Sequence, residues 1–370
     1  MTLPTPIDPP KRLLMGPGPS DVNPSVLTAM ARPPVGHLDP AFIQIMDEIK
    51  VMLRQLFRTE NEMTFPISGP GSAGMEACLI NLIEPGDEAV ICVHGVFGNR
   101  LVEIADRCGA KVTRVDSPWG RPIEPDHVRR AVDGRSPRIV AIVHAETSTG
   151  VLQPLEEISM ICHEAGALLV VDAVTSFCGV DLRVDDWNID ALYSGTQKCL
   201  SAPPGLSPVT FSPRAIEAIE RRNTKVGSWF LDVSLLRAYW TGLSRAYHHT
   251  APVNACFALH EALRLVIEEG LDNRIERHVR NHLLLRSGLE SLGFRYLVDE
   301  QYRLPQLNSV FIPGGVDDAA ARSRLLNEFG IEVGAGLGEL TGKIWRIGLM
   351  GESSSEGHVE TLLGALRTIL

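Results

Sequence analysis

The sequence predicts an α/β protein with a mostly parallel seven-stranded sheet between helices, followed by a smaller α+β region. Two observations carry this prediction. Seven short apolar runs alternate with amphipathic segments between residues 64 and 211, a pattern typical of parallel strands joined by crossover helices. From about residue 251 the alternation stops, and long helical segments follow each other directly. We therefore expect an N-terminal arm at 1–20, a large domain at 21–250 and a small C-terminal domain at 251–370.

The predicted strands of the large domain are short and apolar, as in a sheet that is buried on both faces. They lie at Thr64–Ser68, Ala89–Val93, Lys111–Val115, Arg138–His144, Ala167–Asp172, Asp190–Ser194 and Ser207–Phe211. Apolar residues at helical spacing predict the helices around them. These helices lie at Pro24–Ala31, Ala41–Phe57, Leu101–Cys108 and Leu155–Ala165.

The C-terminal region mixes longer helices with a few short strands. The predicted helices are Cys256–Glu269, Asp272–Leu292, Asp317–Phe329 and Ser355–Leu370. The predicted strands are Asn308–Ile312, Ile331–Val333 and Ile344–Gly348. At the other end of the chain, a proline-rich start with no signal-peptide core reads as an extended arm.

Charge and cysteine content narrow the class of protein. A net charge of −10 argues against nucleic acid or an anionic membrane surface as a partner. No apolar run approaches the roughly 20 residues that cross a bilayer. Seven cysteines are scattered without a Cys-x-x-Cys pair, which favours reduced thiols over disulfides or a metal site. We therefore expect a cytoplasmic enzyme without a bound metal.

Lys198 and Asp172 are the residues around which the chemistry is organised. Lys198 is one of only six lysines, and its small and apolar neighbours can lower its pKa and free the amine to form a Schiff base. Asp172 ends an apolar strand, where open α/β sheets bind ligands. A carboxylate can keep a pyridine nitrogen protonated while a lysine holds the aldehyde of the same ring. The pair therefore predicts pyridoxal 5′-phosphate as cofactor.

A glycine turn upstream offers a site for the phosphate of such a cofactor. The segment Phe65–Glu76 combines a strand, a turn at Gly69-Pro-Gly71 and a helix start with Ser72. Backbone N–H groups at a helix start bind phosphate. The segment lacks the dinucleotide-binding pattern and the P-loop lysine, so we expect neither of those sites.

Seven sequence blocks in one order resemble those of the class V, fold-type-I pyridoxal phosphate aminotransferases, and are closest to alanine–glyoxylate aminotransferases. The blocks are Leu14–Ser20, Ile67–Gly71, His144–Gly150, Val171–Asp172, Ser194–Lys198, Tyr247–Thr250 and Gly342–Gly351. The resemblance implies a fold-type-I transferase that works as a homodimer with a shared active site.

The resemblance also implies roles for individual residues. Lys198 would form the Schiff base and carry a proton, and Asp172 would pair with the ring nitrogen. The remaining cofactor contacts would come from Phe97 and Val174 on the ring faces, Thr147 at the ring hydroxyl, and Gly71, Ser72 and Gln197 at the phosphate. Tyr247 and Thr250 would reach the phosphate from the partner subunit. Relatives often have His or Arg where this chain has Ser72.

Arg346 would bind the substrate carboxylate, with Gly18 beside the substrate, and one such arginine suits short substrates. The resemblance implies alanine or serine as amino donor and a 2-oxo acid, above all glyoxylate, as acceptor. In ureidoglycine-specific relatives two pocket positions carry amides, but this chain has His37 and Trp229 there. That weakens a ureidoglycine–glyoxylate reaction without eliminating it.

Three alternatives of other kinds stay open at this stage. A pyridoxamine–pyruvate aminotransferase is disfavoured by Gln197, Tyr247 and Thr250, which suit a phosphorylated cofactor. A cysteine desulfurase-like lyase would need a cysteine near Arg346, and residues 305–350 contain none. A non-catalytic binding protein would be expected to lack the lysine.

Two pairs of residues have no assigned catalytic role. We expect His144 and Glu146 to form a buried, hydrogen-bonded structural pair. His248 and His249 have no metal-ligand spacing, and we assign no metal to them.

Overall fold

The computed structural model describes residue 3, residues 5–242 and residues 245–370 of the chain, so residues 1, 2 and 4 of the predicted arm lie outside the described residues. The helices are α1 (Pro24–Met30), α2 (Pro40–Phe57), α3 (Gly71–Leu82), α4 (Val96–Arg107), α5 (Pro125–Val132), α6 (Glu156–Glu164), α7 (Pro213–Glu220), α8 (Val233–Trp240), α9 (Val253–Glu269), α10 (Leu271–Ser291), α11 (Asp318–Phe329) and α12 (Glu356–Ile369). The strands are β1 (Leu13–Leu14), β2 (Met63–Ser68), β3 (Glu88–Val93), β4 (Lys111–Asp116), β5 (Ile139–Val143), β6 (Ala145–Glu146), β7 (Val151–Leu152), β8 (Leu168–Asp172), β9 (Ala191–Tyr193), β10 (Leu206–Phe211), β11 (Arg295–Tyr296), β12 (Leu307–Phe311), β13 (Ile331–Glu332), β14 (Gly334–Ala335) and β15 (Ile344–Gly348).

The large sheet contains seven strands in the order β2-β10-β9-β8-β5-β3-β4. Strands β4, β3, β5, β8 and β9 pair parallel, and β10 runs antiparallel to both of its neighbours. Each strand predicted between residues 64 and 211 is present, with bounds within one residue of the prediction. The prediction of an α/β fold with a mostly parallel seven-stranded sheet is confirmed.

The register of this sheet brings three strand ends together. Val143 at the end of β5 pairs with Asp172 at the end of β8, and Asp172 pairs with Tyr193 at the end of β9. Because these strands run parallel, their carboxyl ends share one edge of the sheet. This is the edge where open α/β sheets bind ligands.

A second sheet forms in the C-terminal region, in the antiparallel order β11-β12-β15-β14. It packs with parts of α10, α11 and α12 around a separate apolar core that includes Trp345 and Ile347. The predicted strand at residues 331–333 lies elsewhere, because β13 pairs in parallel with β1 near the N-terminus. The end of the predicted arm is therefore a strand, and Met15 after it is fully buried in the second core.

The predicted domain boundary at residue 250 does not coincide with the change of core. Helix α9 packs against α1 and α2, and its buried face, with Cys256, Leu259 and Leu263, belongs to the core of the large sheet. Apart from Met15 and Leu13 near the N-terminus, the second core takes its residues from α10 onward. The three-part division stays a prediction, and the packing favours a later boundary, near Gly270. Among the described residues, no helix has both the length and the apolar character that a bilayer crossing requires.

Candidate active site

Lys198 lies in the loop between β9 and β10, on the carboxyl-end edge of the large sheet. Its Nζ donates to the carbonyl oxygen of Pro17, and the Ser20 hydroxyl donates to the Lys198 carbonyl oxygen at 2.8 Å. Burial, with a smaller contribution from the charge of Arg346, lowers the pKa of Lys198 to about 8. A useful fraction of the amine is therefore unprotonated near neutral pH, as a nucleophilic lysine requires.

Gly18 makes room for this lysine. A Cβ at residue 18 would lie 2.5 Å from Nζ of Lys198 and 2.8 Å from its Cδ. The backbone φ of Gly18 is +117°, a conformation that favours glycine. Any larger residue at this position would displace the lysine.

Asp172 is buried, and its carboxylate is held on both oxygens. The Tyr193 hydroxyl donates to Oδ2 at 2.8 Å, and the Val174 backbone N–H donates to Oδ1 at 2.9 Å. Burial raises the pKa of Asp172 to about 7, although these two hydrogen bonds oppose the rise. A cationic ring nitrogen beside this carboxylate would favour its charged form.

One cavity joins Lys198 and Asp172. Its lining includes eight of the residues predicted for the site, namely Gly71, Ser72, Phe97, Thr147, Asp172, Val174, Gln197 and Lys198. The lining also includes Met75, Arg100 and Thr175, which were not predicted.

The start of α3 forms one end of the cavity. Its N-cap residue, Pro70, gives no side-chain hydrogen bond to the helix, and the N–H of Ala73 donates to the Pro70 carbonyl oxygen at 2.7 Å. The N–H groups of Gly71 and Ser72 have no acceptor among the described residues and are available to a ligand. A Cβ at Gly71 would come within 3.0 Å of a Val174 methyl group, which keeps this turn close to the cavity wall. Gln197 has a buried amide oxygen without a hydrogen-bond partner in the described part of the chain, and rotation of the amide can present its NH₂ group instead.

Phe97 is positioned by the buried carboxylate of Glu146. Glu146 accepts hydrogen bonds from the backbone N–H of Phe97 at 3.1 Å and of Gly98 at 3.4 Å, in the first turn of α4. It also accepts the Ser148 hydroxyl at 2.6 Å. Burial raises the pKa of Glu146, and these hydrogen bonds oppose the rise. The carboxylate thereby fixes the start of the helix that carries Phe97.

The expectation that His144 and Glu146 form a hydrogen-bonded pair is wrong. Both side chains are buried, but Glu146 bonds Ser148 and the start of α4, and His144 instead packs edge-on against Trp187 with ring centroids 5.6 Å apart. The backbone N–H groups of α4 satisfy the carboxylate without the imidazole.

Arg346 lies on β15 at the side of the cavity. Its Nε donates to the carbonyl oxygen of Ala335 at 2.7 Å and its Nη1 to that of Thr147 at 3.2 Å. Its neighbours in sequence, Trp345 and Ile347, are buried in the second core, so the arginine projects from the opposite face of the strand. Burial lowers the pKa of Arg346 to about 10. The guanidinium remains charged at neutral pH.

Tyr247 and Thr250 do not line this cavity and are exposed. They belong to a histidine-rich segment in which His249 Nε2 lies 2.7 Å from the Ser68 hydroxyl. His37 packs against Tyr247 with ring centroids 5.1 Å apart. Trp229 stacks on His248 at 4.3 Å, with the rings nearly parallel.

Sequence reasoning missed Tyr193, Glu146 and Arg100 as members of the site. Strand register could have found Tyr193, because it stands beside Asp172 on the neighbouring strand. The contacts of Glu146 and Arg100 depend on how α4 packs on the loop after β5 and on α3, and no local pattern reports that packing.

These features fit pyridoxal phosphate. A desolvated lysine and a buried carboxylate share one cavity, uncapped helix N–H groups lie at one end, and a buried arginine lies at the side. The fold and the site together define a pyridoxal phosphate-dependent transferase of fold type I.

Comparison with known proteins specifies the family. The model of the family "Aminotransferase class-V" matches residues 22–347. The (S)-ureidoglycine–glyoxylate transaminase of Bacillus subtilis is 42% identical, over 98% of this chain and 91% of its own. The alanine–glyoxylate aminotransferase of Callithrix jacchus is 41% identical, over 99% and 89%. The crystal structure of an alanine–glyoxylate aminotransferase from Nostoc sp. superposes with a TM-score of 0.98 at 52% identity, covering 100% of this chain and 97% of that one. The chain belongs to the class-V aminotransferase family and is a pyridoxal phosphate-dependent aminotransferase.

Proposed function

We propose that this aminotransferase moves the amino group of alanine or serine to a 2-oxo acid, with glyoxylate as the preferred acceptor. The observation that carries the proposal is a cavity lined by Lys198 and Asp172, with the buried Arg346 bonded to the carbonyl oxygen of Thr147 in its wall. The relatives described above support glyoxylate, since their names pair it with alanine or with ureidoglycine.

Each residue has a task in this proposal. When bound, pyridoxal phosphate supplies an aldehyde that takes up amino groups and a ring that accepts electrons. Nζ of Lys198, with its lowered pKa, would accept the proton from Cα of the amino donor, and in the second half-reaction it would deliver a proton to Cα of the 2-oxo acid. The Asp172 carboxylate, held by Tyr193, keeps a proton on the ring nitrogen. Gly71, Ser72 and Gln197 would hold the phosphate, Thr147 the ring hydroxyl, and Phe97 and Val174 the two ring faces; all six line the cavity.

Arg346 binds the α-carboxylate that the amino acid and the 2-oxo acid share. Its guanidinium can make two parallel hydrogen bonds to a carboxylate, a geometry that fixes the position of Cα. Its two present acceptors are backbone carbonyl oxygens, so charge pairing with a substrate is still available. Gly18, which we place beside the substrate, leaves the room that the Lys198 side chain occupies.

A ureidoglycine–glyoxylate reaction is the second candidate, because a relative of that name is 42% identical. The ureido group needs partners that both donate and accept hydrogen bonds, as amides do. The family resemblance implies that His37 and Trp229 occupy the corresponding positions, and these two side chains make ring contacts with Tyr247 and His248. Alanine or serine therefore fits this chain better.

The cysteines disfavour a desulfurase-like reaction. Six of the seven are buried and Cys108 is partly buried. Cys199, next to Lys198, has its pKa raised to about 11 by burial, so its thiol is not a ready nucleophile at neutral pH.

We further propose that the enzyme is a cytoplasmic homodimer in which Tyr247 and Thr250 complete the phosphate site of the partner subunit. Both are exposed and lie outside the cavity of their own chain, as such a role requires. Tyr247 is 61% exposed although its ring packs against His37, so its hydroxyl is accessible to a partner subunit. The reduced cysteines are compatible with the cytoplasm.

A matrix of amino donors against 2-oxo acid acceptors tests the proposed substrates. We expect the highest kcat/KM with alanine or serine as donor and glyoxylate as acceptor. A clear preference for ureidoglycine as donor, or for pyruvate with free pyridoxamine, would replace the proposal by that reaction.

A further inference from the structure

Arg100 is an exposed residue of α4 that faces the cofactor cavity rather than solvent alone. It follows Phe97 by one turn, and its guanidinium carbon lies 4.9 Å from the centroid of the Phe97 ring. Its Nη1 donates to the Ser72 hydroxyl at 3.4 Å, across to the start of α3. Arg100 and Ser72 both belong to the lining of the cavity.

Arg100 is the available cationic partner for a phosphate in this cavity. Among the residues that line it, Lys198 and Arg100 are the two with cationic side chains. Lys198 is committed to the aldehyde, and the groups placed at the phosphate, Gly71, Ser72 and Gln197, are neutral. A phosphate monoester carries about 1.5 to 2 negative charges at pH 7, and arginine matches its geometry well.

The guanidinium of Arg100 is not engaged by a carboxylate of the described residues, so it can pair with a phosphate. Its contacts within the described residues are the Ser72 hydroxyl and the face of Phe97, and no carboxylate there forms an ion pair with it. On the same helix Arg107 is engaged by Glu103 at 2.8 Å. A guanidinium held at one edge of a phosphate-binding turn needs only a small movement to reach a phosphate oxygen.

We propose that Arg100 is a cofactor-binding residue whose guanidinium pairs with the phosphate of pyridoxal phosphate beside Ser72, while its stacking on Phe97 keeps it at the cavity mouth. The proposal rests on the placement of the phosphate at the start of α3. Arg100 would supply the positive charge that the phosphate needs, because residue 72 is a neutral serine in this chain.

Equilibrium binding to the apo-protein, followed by quenching of tryptophan fluorescence, separates this role from others. The ligands are pyridoxal phosphate and pyridoxal, which lacks the phosphate. For Arg100→Gln we expect about tenfold weaker binding of pyridoxal phosphate, since one charge-assisted hydrogen bond is lost at an exposed site, and unchanged binding of pyridoxal. Added salt should weaken pyridoxal phosphate binding more in the wild type than in the variant.

Arg107→Gln is the matched control, because Arg107 is an exposed arginine two turns further along the same helix, is paired with Glu103 and does not line the cavity. This variant should bind both ligands as the wild type does. Arg100→Lys keeps the charge and should recover part of the loss, which guards against a folding defect in Arg100→Gln. If Arg100→Gln binds pyridoxal phosphate and pyridoxal more weakly by the same factor, Arg100 only supports Phe97, and the proposal is overturned. Unchanged binding of both would overturn it as well. A wild type that binds neither ligand would instead contradict the proposed function itself.

Discussion

The hydroxyl of Tyr193 donates a 2.8 Å hydrogen bond to Oδ2 of Asp172, and the two residues are paired neighbours on adjacent parallel strands. Burial pushes the pKa of Asp172 upward, and the tyrosine is one of two donors that favour the carboxylate. The ability of Asp172 to keep a ring nitrogen protonated therefore depends partly on a residue that does not line the cavity.

Replacing Tyr193 by phenylalanine removes this donor with little change in volume. We expect kcat to fall by about tenfold, because one buried hydrogen bond to a charged group is lost. KM for the amino donor should hardly change, since Arg346 is untouched. Steady-state kinetics, with the far-ultraviolet circular dichroism of the variant as a folding control, check this expectation. A variant with wild-type kcat would show that the Tyr193 hydroxyl does not support the function of Asp172.

The Gly18→Ala substitution places a methyl group 2.5 Å from Nζ of Lys198, in a backbone conformation of φ +117°. We expect activity to fall at least about a hundredfold, because a displacement near 1 Å misaligns the reacting groups. Gly315→Ala is the control, since its φ is +87° but the added Cβ meets nothing within 4 Å. Equal activities of the two variants would show that the contact with the lysine is unimportant.

Replacing Arg346 by lysine keeps the charge and loses the planar pair of donors. We expect KM for alanine and for glyoxylate to rise together by about 10- to 100-fold, because both bind through the same carboxylate contact. The dissociation constant for pyridoxal phosphate should stay near the wild-type value. A rise in KM for only one of the two substrates would contradict a shared carboxylate site.

The lowered pKa of Lys198 gives a testable pH dependence. Only the unprotonated amine attacks an aldehyde, so cofactor capture by the apo-protein should speed up as pH rises through about 8 and then level off. An ordinary lysine would keep gaining reactivity beyond about pH 10. Because the charge of Arg346 helps to lower this pKa, Arg346→Gln should move the midpoint to higher pH. Stopped-flow absorbance of pyridoxal phosphate follows the capture. A midpoint that does not move in this variant would argue against the electrostatic link.

Local sequence patterns were sufficient for the large sheet but not for contacts between distant segments. The strand that ends at Asp172 is a continuous apolar run, which signals burial on both faces wherever it occurs. The pairing of Leu13 with Ile331 joins opposite ends of the chain and has no local signature. Helix α4 begins at Val96 rather than at the predicted Leu101, because Glu146 at the end of β6 and Ser148 after it bond its first N–H groups.

The same distinction holds for the site. Lys198, Asp172 and the glycine turn could be predicted because each lies at a strand end or a helix start, and the cavity brings them together. The His144–Glu146 pair failed because nearness in sequence was taken for contact. Arg100 was missed because its meaning depends on Ser72, which lies on a different helix.

Chemical trapping tests the central claim most directly. The holoenzyme is reduced with borohydride, digested and analysed by mass spectrometry, so that the covalently attached cofactor marks the lysine that held it. We expect the pyridoxyl group on Lys198 and on none of the other five lysines. Attachment to a different lysine, or none after reduction of a protein shown to contain pyridoxal phosphate, would contradict the account.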